Sequence, residues 1–148
     1  MFVFLAAPLT GQLTGAGSDV SIRPEFRRAL THVIDQLEAS GHRVHSSHRR
    51  EMWGEDIYEP KRAIELDFAA IAECDVVFAF IGDPPSPGVQ MELGYAVAKS
   101  KRIVVAFTQG FESLPHLTKG LSAFPRVSIV RITSFERWLD EAGHLLAP

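Results

Sequence analysis

Short apolar runs alternate with longer amphipathic stretches along the chain. Each apolar run has the length of a strand, and the strongest one is a nearly unbroken apolar series, as expected of a strand buried on both faces. The weakest run, at 42–47, contains several polar residues. The pattern predicts five strands, at Phe2–Ala7, 42–47 (HRVHSS), 75–82 (DVVFAFIG), Ile103–Phe107 and Val127–Ile132.

The stretches between these runs show the helical period. Pro24 opens the first helix and Gly41 ends it, with apolar residues at Phe26, Leu30, Val33, Ile34 and Leu37. Further helices are predicted at Lys61–Cys74, Gly88–Ser100, Leu114–Ser122 and Phe135–Leu146. On the buried sides we expect Ile64, Phe68 and Ile71 in the second helix, and Trp138, Leu139 and Leu145 in the last.

This alternation predicts one α/β domain over residues 1–148. Strands that alternate with helices form a mostly parallel sheet, so we expect a three-layer, five-stranded, flavodoxin-like or Rossmann-like fold with helices on both faces. Ligands of such sheets bind beyond the carboxyl ends of the strands. Three long or Pro/Gly-rich segments follow the first three strands and should meet there. They are the predicted loops Pro8–Arg23, Ser47–Pro60 and Gly82–Gly88.

Composition narrows the class of protein. The chain has 148 residues, of which 46% are hydrophobic, enough for a packed core. The net charge of -3 argues against a dedicated nucleic-acid binder. One cysteine, Cys74, allows no internal disulfide, so we expect a reducing, cytoplasmic compartment. The N-terminal apolar run lacks basic residues and ends at Pro8, so we interpret it as a buried strand rather than a signal peptide.

Glu92 is the first candidate for chemistry. It lies near the start of the helix that follows the third strand, between Met91 and Leu93. One interpretation is a carboxylate that only stabilises the helix N-terminus. The other is a nucleophile or base aimed into the ligand crevice. The nearby Ser86 and Gly88 favour the second, because they can form an anion-binding turn at the helix N-terminus.

Asp67 is the second candidate. It lies between Leu66 and Phe68 on the helix that leads into the central strand. It is either a solvent-facing residue of an amphipathic helix or a functional carboxylate that needs a partner. Two carboxylates at one crevice suit acid–base and nucleophilic work, including cleavage of a sugar C–N or C–O bond through an oxocarbenium-like transition state.

Other chemistries find little support. The six histidines show no HExxH spacing and there is no cysteine cluster, so we predict no metal and no cofactor. No GxSxG, Walker or GxGxxG motif follows a strand. The Gly15–Gly17 run is too far from the end of the first strand to be a dinucleotide fingerprint.

The segment DVVFAFIGDPPSPGVQMELGYAVAKSKRIVV resembles the central motif of the nucleoside 2-deoxyribosyltransferase superfamily. The first strand, FVFLAAPLTG, and the segment ELDFAAIAECDVV match the same family in order and spacing. The resemblance covers nearly the whole chain. The S-x-G-V-x-x-E-L-G form at Ser86 to Gly94 is most similar to the branch that hydrolyses nucleoside 5′-monophosphates.

This resemblance implies roles for individual residues. Glu92 matches the nucleophile that attacks the anomeric carbon. Asp67 matches the carboxylate that supports it and either contacts the sugar or protonates the leaving base. Ser86 and Gly88 match the phosphate-binding turn. Phe4 falls where ribonucleotide hydrolases of this branch tend to carry Phe and deoxyribonucleotide hydrolases carry Tyr, which favours a ribonucleotide.

The chain departs from the family in its first loop. Pro8 and Thr10 stand where the branch often has Ser and Arg, so the cation for the phosphate must come from elsewhere. Arg49, Arg50 and Lys119 are candidates, although the two arginines could equally form a solvated basic turn. The predicted substrate-binding set is Phe4, Ala7, Pro8, Gly11, His48, Arg49, Arg50, Trp53, Gly82, Ser86, Gly88, Met91 and Lys119.

The sequence leaves the roles of Trp53 and His48 open. Trp53 could stack on a base or could anchor its loop to the core. His48 is expected to be a hydrogen-bonding loop residue rather than a catalyst. The predicted activity is hydrolysis of the N-glycosidic bond of a ribonucleoside 5′-monophosphate, for example a pyrimidine nucleotide such as CMP, by a homodimer or higher homo-oligomer. The alternatives are a 2′-deoxyribosyltransferase and a non-catalytic nucleotide-binding module.

Overall fold

The computed structural model describes residues 1–14 and 21–146 of the chain. The Gly15–Gly17 run therefore lies outside the described residues. The strands are β1 (Phe2–Ala6), β2 (Leu13–Thr14), β3 (Ser21–Ile22), β4 (Arg43–Ser46), β5 (Val76–Ile81), β6 (Arg102–Phe107) and β7 (Val127–Arg131). The α-helices are α1 (Pro24–Ala39), α2 (Ser47–Arg50), α3 (Pro60–Glu73), α4 (Pro87–Ala98), α5 (His116–Gly120) and α6 (Trp138–Ala142).

The main sheet has the order β4-β1-β5-β6-β7, and every neighbouring pair is parallel. This confirms the predicted five-stranded α/β fold. The chain runs from β1 outward to β4 and then returns to β5 on the other side of β1. The order therefore reverses at β1, which opens a crevice at the carboxyl ends of β1, β4 and β5.

Alternate residues of each strand face opposite layers, as the period of two requires. In β1, Val3 and Leu5 face the layer built by α1 and α6, whereas Phe4 and Ala6 face the layer built by α3 and α4. All six residues of β5 are buried, which confirms the strand buried on both faces that its sequence predicts.

Pro24 and Gly41 bound the first helix as predicted. Proline occupies the first turn, and Gly41 adopts φ 81°, a left-handed conformation that favours glycine after a helix. Cys74 follows α3, is buried, and its thiol donates to the carbonyl of Ile71. No helix among the described residues is long and apolar enough to cross a membrane.

Several sequence predictions need correction. Ile64, expected on the buried side of its helix, is 39% exposed. The predicted loop Ser47–Pro60 contains α2, because Ser46 caps a short helix by accepting from the N–H of Arg49. The first loop contains the small antiparallel pair of β2 and β3. Leu139 is 39% exposed rather than buried, because the last helix packs through Trp138, Ala142 and Leu146, which recur every four residues on its inner side.

Candidate functional site

A cavity of about 210 Å³ lies at the carboxyl end of β1. Its walls come from α2, from α3, and from the loop that leads into α4. It joins a more open apolar groove of about 480 Å³ between α3 and α4, since both are lined by Ala63, Asp67, Gly88 and Glu92. The lining of the cavity also includes Leu5, Ala6, Ala7, Leu9, Ser47, His48, Glu51, Ile57, Tyr58, Ser86 and Val89.

The structure brings the two predicted carboxylates together in this cavity. Asp67 is held by three side chains: Oδ1 accepts from Ser47 Oγ at 2.7 Å, from Arg50 Nη1 at 2.7 Å and from His45 Nε2 at 3.1 Å. Burial opposes ionisation of Asp67, but the hydrogen bonds from His45, Arg50 and Ser47 outweigh it and lower its pKa. Asp67 is therefore a fixed carboxylate.

Glu92 has the opposite environment. Burial in the cavity wall, followed by the negative charge of Asp67, raises the pKa of Glu92 to about 8, and Arg50 only partly opposes this rise. Within residues 1–14 and 21–146, no donor forms a hydrogen bond to its carboxyl group. The helix begins at Pro87, so Glu92 lies in the second turn, where the helix dipole has largely faded.

The N-terminus of α4 forms another wall. The hydroxyl of Ser86 caps no backbone N–H, and the side chain is buried against the cavity. A Cβ on Gly88 would meet only Ser86 Oγ, at 3.6 Å, so the protein's own packing leaves space beside this glycine. The N–H groups of Gly88 and Val89 have no intrahelical acceptor in an α-helix. This wall can therefore receive an anion.

The three predicted phosphate-binding cations are engaged elsewhere. Arg50 donates to Asp67 and, at 2.8 Å, to Glu51. Arg49 donates to Glu38 and to the carbonyl of Val44, and Lys119 contacts Glu112. None of the three lines the cavity. The structure thus makes Arg50 the partner of two carboxylates.

The other predicted substrate-binding residues do not all line the same cavity. Ala7 and His48 line the cavity and Met91 lines the groove. Pro8 and Gly82 line a different cavity of about 350 Å³. Phe4 is fully buried and its ring stacks on His45.

Two predicted residues, Gly11 in the first loop and Trp53 in the second, contact other parts of the protein. The carbonyl of Gly11 accepts from Arg23. Trp53 packs against the core layer of α1, with the guanidinium of Arg27 over its ring. This packing corresponds to the loop-anchoring interpretation of Trp53.

Sequence reasoning missed Ser47, Glu51, Ile57 and Tyr58 as lining residues. Ser47 and Glu51 are four positions apart across α2, so both face the same side once that helix is recognised. Tyr58 was the more visible signal, since it is an aromatic residue just ahead of a Pro-initiated helix. The guanidiniums of Arg50 and Arg62 both approach its ring.

Comparison with known proteins identifies the family and the fold of the chain. The family model described as nucleoside 2-deoxyribosyltransferase matches residues 16–137. The CMP N-glycosidase BcmB of Clostridium botulinum is similar in structure, with 26% identity, a TM-score of 0.71 and coverage of 95% of each chain. BlsM is similar as well, with 28% identity and a TM-score of 0.80 over 97% of this chain and 87% of that chain.

A more distant structure shares the fold. A conserved protein from Enterococcus faecalis V583 has 18% identity and a TM-score of 0.58, with 97% of each chain covered. No curated protein sequence matches the chain.

Proposed function

This chain belongs to the nucleoside 2-deoxyribosyltransferase family, and from that premise we propose that it hydrolyses the N-glycosidic bond of a nucleoside 5′-monophosphate. The substrate we assign is a ribonucleotide with a pyrimidine base such as that of CMP, and the products are the free base and ribose 5-phosphate. The observation that carries the proposal is one cavity with two carboxylates of opposite pKa shift beside a free helix N-terminus.

Glu92 is assigned as the nucleophile. Its ionised carboxylate attacks C1′ of the ribose, a C1′–O bond forms, and the C1′–N bond breaks. The base leaves with the bonding electron pair and takes up a proton from water. The hydroxide left by that water then cleaves the glycosyl ester, which releases ribose 5-phosphate and regenerates the Glu92 carboxylate.

Asp67 is assigned to the sugar rather than to proton donation. A carboxyl group that accepts three hydrogen bonds and has a lowered pKa is ionised at neutral pH, so it has no proton to give. Its negative charge also suits the positive charge that develops on the sugar in an oxocarbenium-like transition state.

The 5′-phosphate is assigned to the N-terminus of α4. Ser86 and the N–H groups of Gly88 and Val89 supply donors there, and the helix dipole supplies partial positive charge. Gly88 and Glu92 lie four residues apart on one face of the helix. A phosphate at Gly88 therefore lies about one turn, roughly 5 Å, from the reacting carboxylate along the axis.

A 2′-deoxyribosyltransferase is the second candidate, favoured by the description of the matching family model. It would use the same Glu92 intermediate, but a second base would replace water as the acceptor. The two functions differ in whether the base is released without an acceptor.

A base-release assay tests the proposal. The protein is incubated with ribo- and deoxyribonucleosides, each with and without a 5′-phosphate, and free base is followed by chromatography. We expect release from ribonucleoside monophosphates in water alone. Release that requires an acceptor base would assign the transferase instead, and binding without any release would assign a nucleotide-binding module.

Variants at two glutamates make the assay specific. Glu92→Gln should abolish release, whereas Glu73→Gln should leave it unchanged, because Glu73 is exposed at the end of α3. Retained activity in folded Glu92→Gln would refute the assigned nucleophile.

Assembly as a homodimer also remains a proposal. Met91 on α4 is 54% exposed and Leu117 on α5 is 81% exposed, and such apolar exposure supports a subunit contact on this side. Light scattering coupled to size-exclusion chromatography measures the mass directly, and a monomer across micromolar concentrations would refute it.

A further inference from the structure

Two hydrogen-bond acceptors of the cavity have no role in the proposed hydrolysis. Glu51 is only 3% exposed and lines the cavity just after α2. His48 is 2% exposed and lines the same wall. The two residues are three positions apart, so they share one face of the short helix and its C-cap.

The contacts of His48 determine which ring nitrogen is an acceptor. Nε2 lies 2.9 Å from the carbonyl oxygen of Pro8, and a carbonyl can only accept, so Nε2 carries the proton. Burial lowers the pKa of His48 despite the opposing effects of the Pro8 carbonyl and Asp67, so the ring is neutral. Nδ1 is then a bare lone pair, buried and without a partner among the described residues.

Glu51 adds a carboxylate to the same wall. Its Oε1 accepts from Arg50 Nη2 at 2.8 Å, in an ion pair that is almost completely buried. A neutral imidazole acceptor and a carboxylate together favour a ligand edge that donates hydrogen bonds. A carbonyl oxygen facing this wall would repel Glu51 and leave Nδ1 unsatisfied.

The position of this wall identifies which part of a nucleotide would face it. The wall follows β4, whereas Ser86, Gly88 and Glu92 follow β5, and β1 lies between the two strands. Neighbouring strands are about 4.8 Å apart, so the two walls are separated by about 10 Å. With the phosphate at the N-terminus of α4 and the sugar between Glu92 and Asp67, the base extends toward α2.

Resting on the proposed function, we propose that Glu51 and His48 select nucleobases that carry an exocyclic amino group. The amino group of cytosine or adenine donates to Glu51 and to His48 Nδ1. The corresponding oxo bases, uracil and hypoxanthine, present a carbonyl oxygen at the same position. The cavity thus discriminates amino from oxo bases.

The experiment measures kcat/KM for base release from CMP, UMP, AMP and IMP, with dCMP as a sugar control. Because the amino group donates a hydrogen bond to a charged group, we expect kcat/KM for the preferred amino nucleotide to be roughly 10- to 100-fold higher than for its oxo counterpart. Glu51→Gln should reduce that ratio to within about threefold, because the Gln amide can also donate to a carbonyl. Glu55→Gln is the matched control, since Glu55 lies in the same loop and its side chain is 60% exposed.

His48→Gln provides a second variant. It keeps an amide near the Nε2 position that contacts Pro8 and removes the Nδ1 acceptor, so it should lower the same ratio. A purely structural effect of either substitution would reduce both nucleotides of a pair alike and leave the ratio unchanged.

Three results would overturn the inference. They are equal rates for amino and oxo nucleotides in the unaltered protein, an unchanged ratio in folded Glu51→Gln, and a change confined to the CMP to dCMP ratio. The last would place Glu51 at the sugar. Binding of the same nucleotides to Glu92→Gln by calorimetry separates the two proposals: amino-selective binding with no turnover in the unaltered protein refutes hydrolysis while supporting base selection.

Discussion

The two carboxylates of the cavity differ in how the protein treats their charge. Asp67 has three donors and a lowered pKa, whereas Glu92 has no donor among the described residues and a pKa raised to about 8. The α2 side of the cavity thus stabilises a charge, and the α4 side destabilises one. A destabilised carboxylate at a cavity wall supports the catalytic role proposed for Glu92, because functional sites often hold groups with strongly shifted pKa values at a cost in stability.

The largest expected effect is on turnover by Glu92→Gln. Loss of a nucleophile reduces kcat by roughly 10³- to 10⁶-fold. The same substitution should raise stability by about 3 kcal/mol at pH 7, because a neutral amide removes a carboxylate whose ionisation is opposed in the folded protein. Base release and urea denaturation measure the two effects, and a loss of both activity and stability would contradict the comparison.

Asp67→Asn should change stability in the opposite direction. It removes the negative charge that pairs with Arg50, and loss of one partner of a largely buried ion pair costs about 3 kcal/mol. Urea denaturation at pH 7 gives the value, with Glu65→Gln on the exposed side of α3 as a control. An unchanged denaturation midpoint would show that the three hydrogen bonds to Asp67 make no net contribution to the free energy of unfolding.

The pH dependence should separate the two residues. If Glu92 must be ionised, kcat/KM rises about tenfold per pH unit below pH 8 and levels above it. Asp67→Asn removes the charge that helps to raise the pKa of Glu92, so it should move this limb to lower pH. A limb that stays in place would show that burial alone sets the pKa.

Stability should follow pH with opposite signs at the two sites. The raised pKa of Glu92 makes the protein lose stability as pH rises from about 4.5 to about 8, and Glu92→Gln should abolish this loss. The lowered pKa of Asp67 contributes stability above pH 3.8 that is lost as pH falls further. Denaturation curves at several pH values test both signs.

The smallest expected effect belongs to Ser47→Ala. It removes one of three donors to Asp67 and leaves Arg50 and His45 in place, so it should cost about 1 kcal/mol. Ser122→Ala is the matched control, because Ser122 is exposed and its hydroxyl donates to the carbonyl of Lys119. A cost equal to that of Asp67→Asn would mean that Ser47, rather than Arg50, holds the carboxylate.

The fold was predictable because its signals are local. The apolar series of β5, the proline that opens α1 and the glycine that ends it each occupy a few adjacent residues. The convergence of Asp67 and Glu92 also followed, since parallel strands place their carboxyl ends together. The family resemblance added the roles proposed for these two residues.

The partners of the charged side chains were not predictable in the same way. Arg50 looked like a free cation for a phosphate, but it contacts Asp67, seventeen residues later, through the fold. Glu51 is hidden for the same reason, because only the fold of α2 turns it inward. Met52 and Trp53 adopt positive φ angles. The sequence does not indicate this, because such angles are uncommon for residues other than glycine.

Cys74 gives the protein an internal reporter of opening. It is the single thiol of the chain, it is 2% exposed, and burial raises its pKa. A maleimide or disulfide reagent therefore reacts with Cys74 only after an opening at the end of α3 exposes the thiol. The alkylation rate can be followed by mass spectrometry without an engineered label. It would report whether nucleotide binding makes this end of α3, the helix that carries Asp67, open less often.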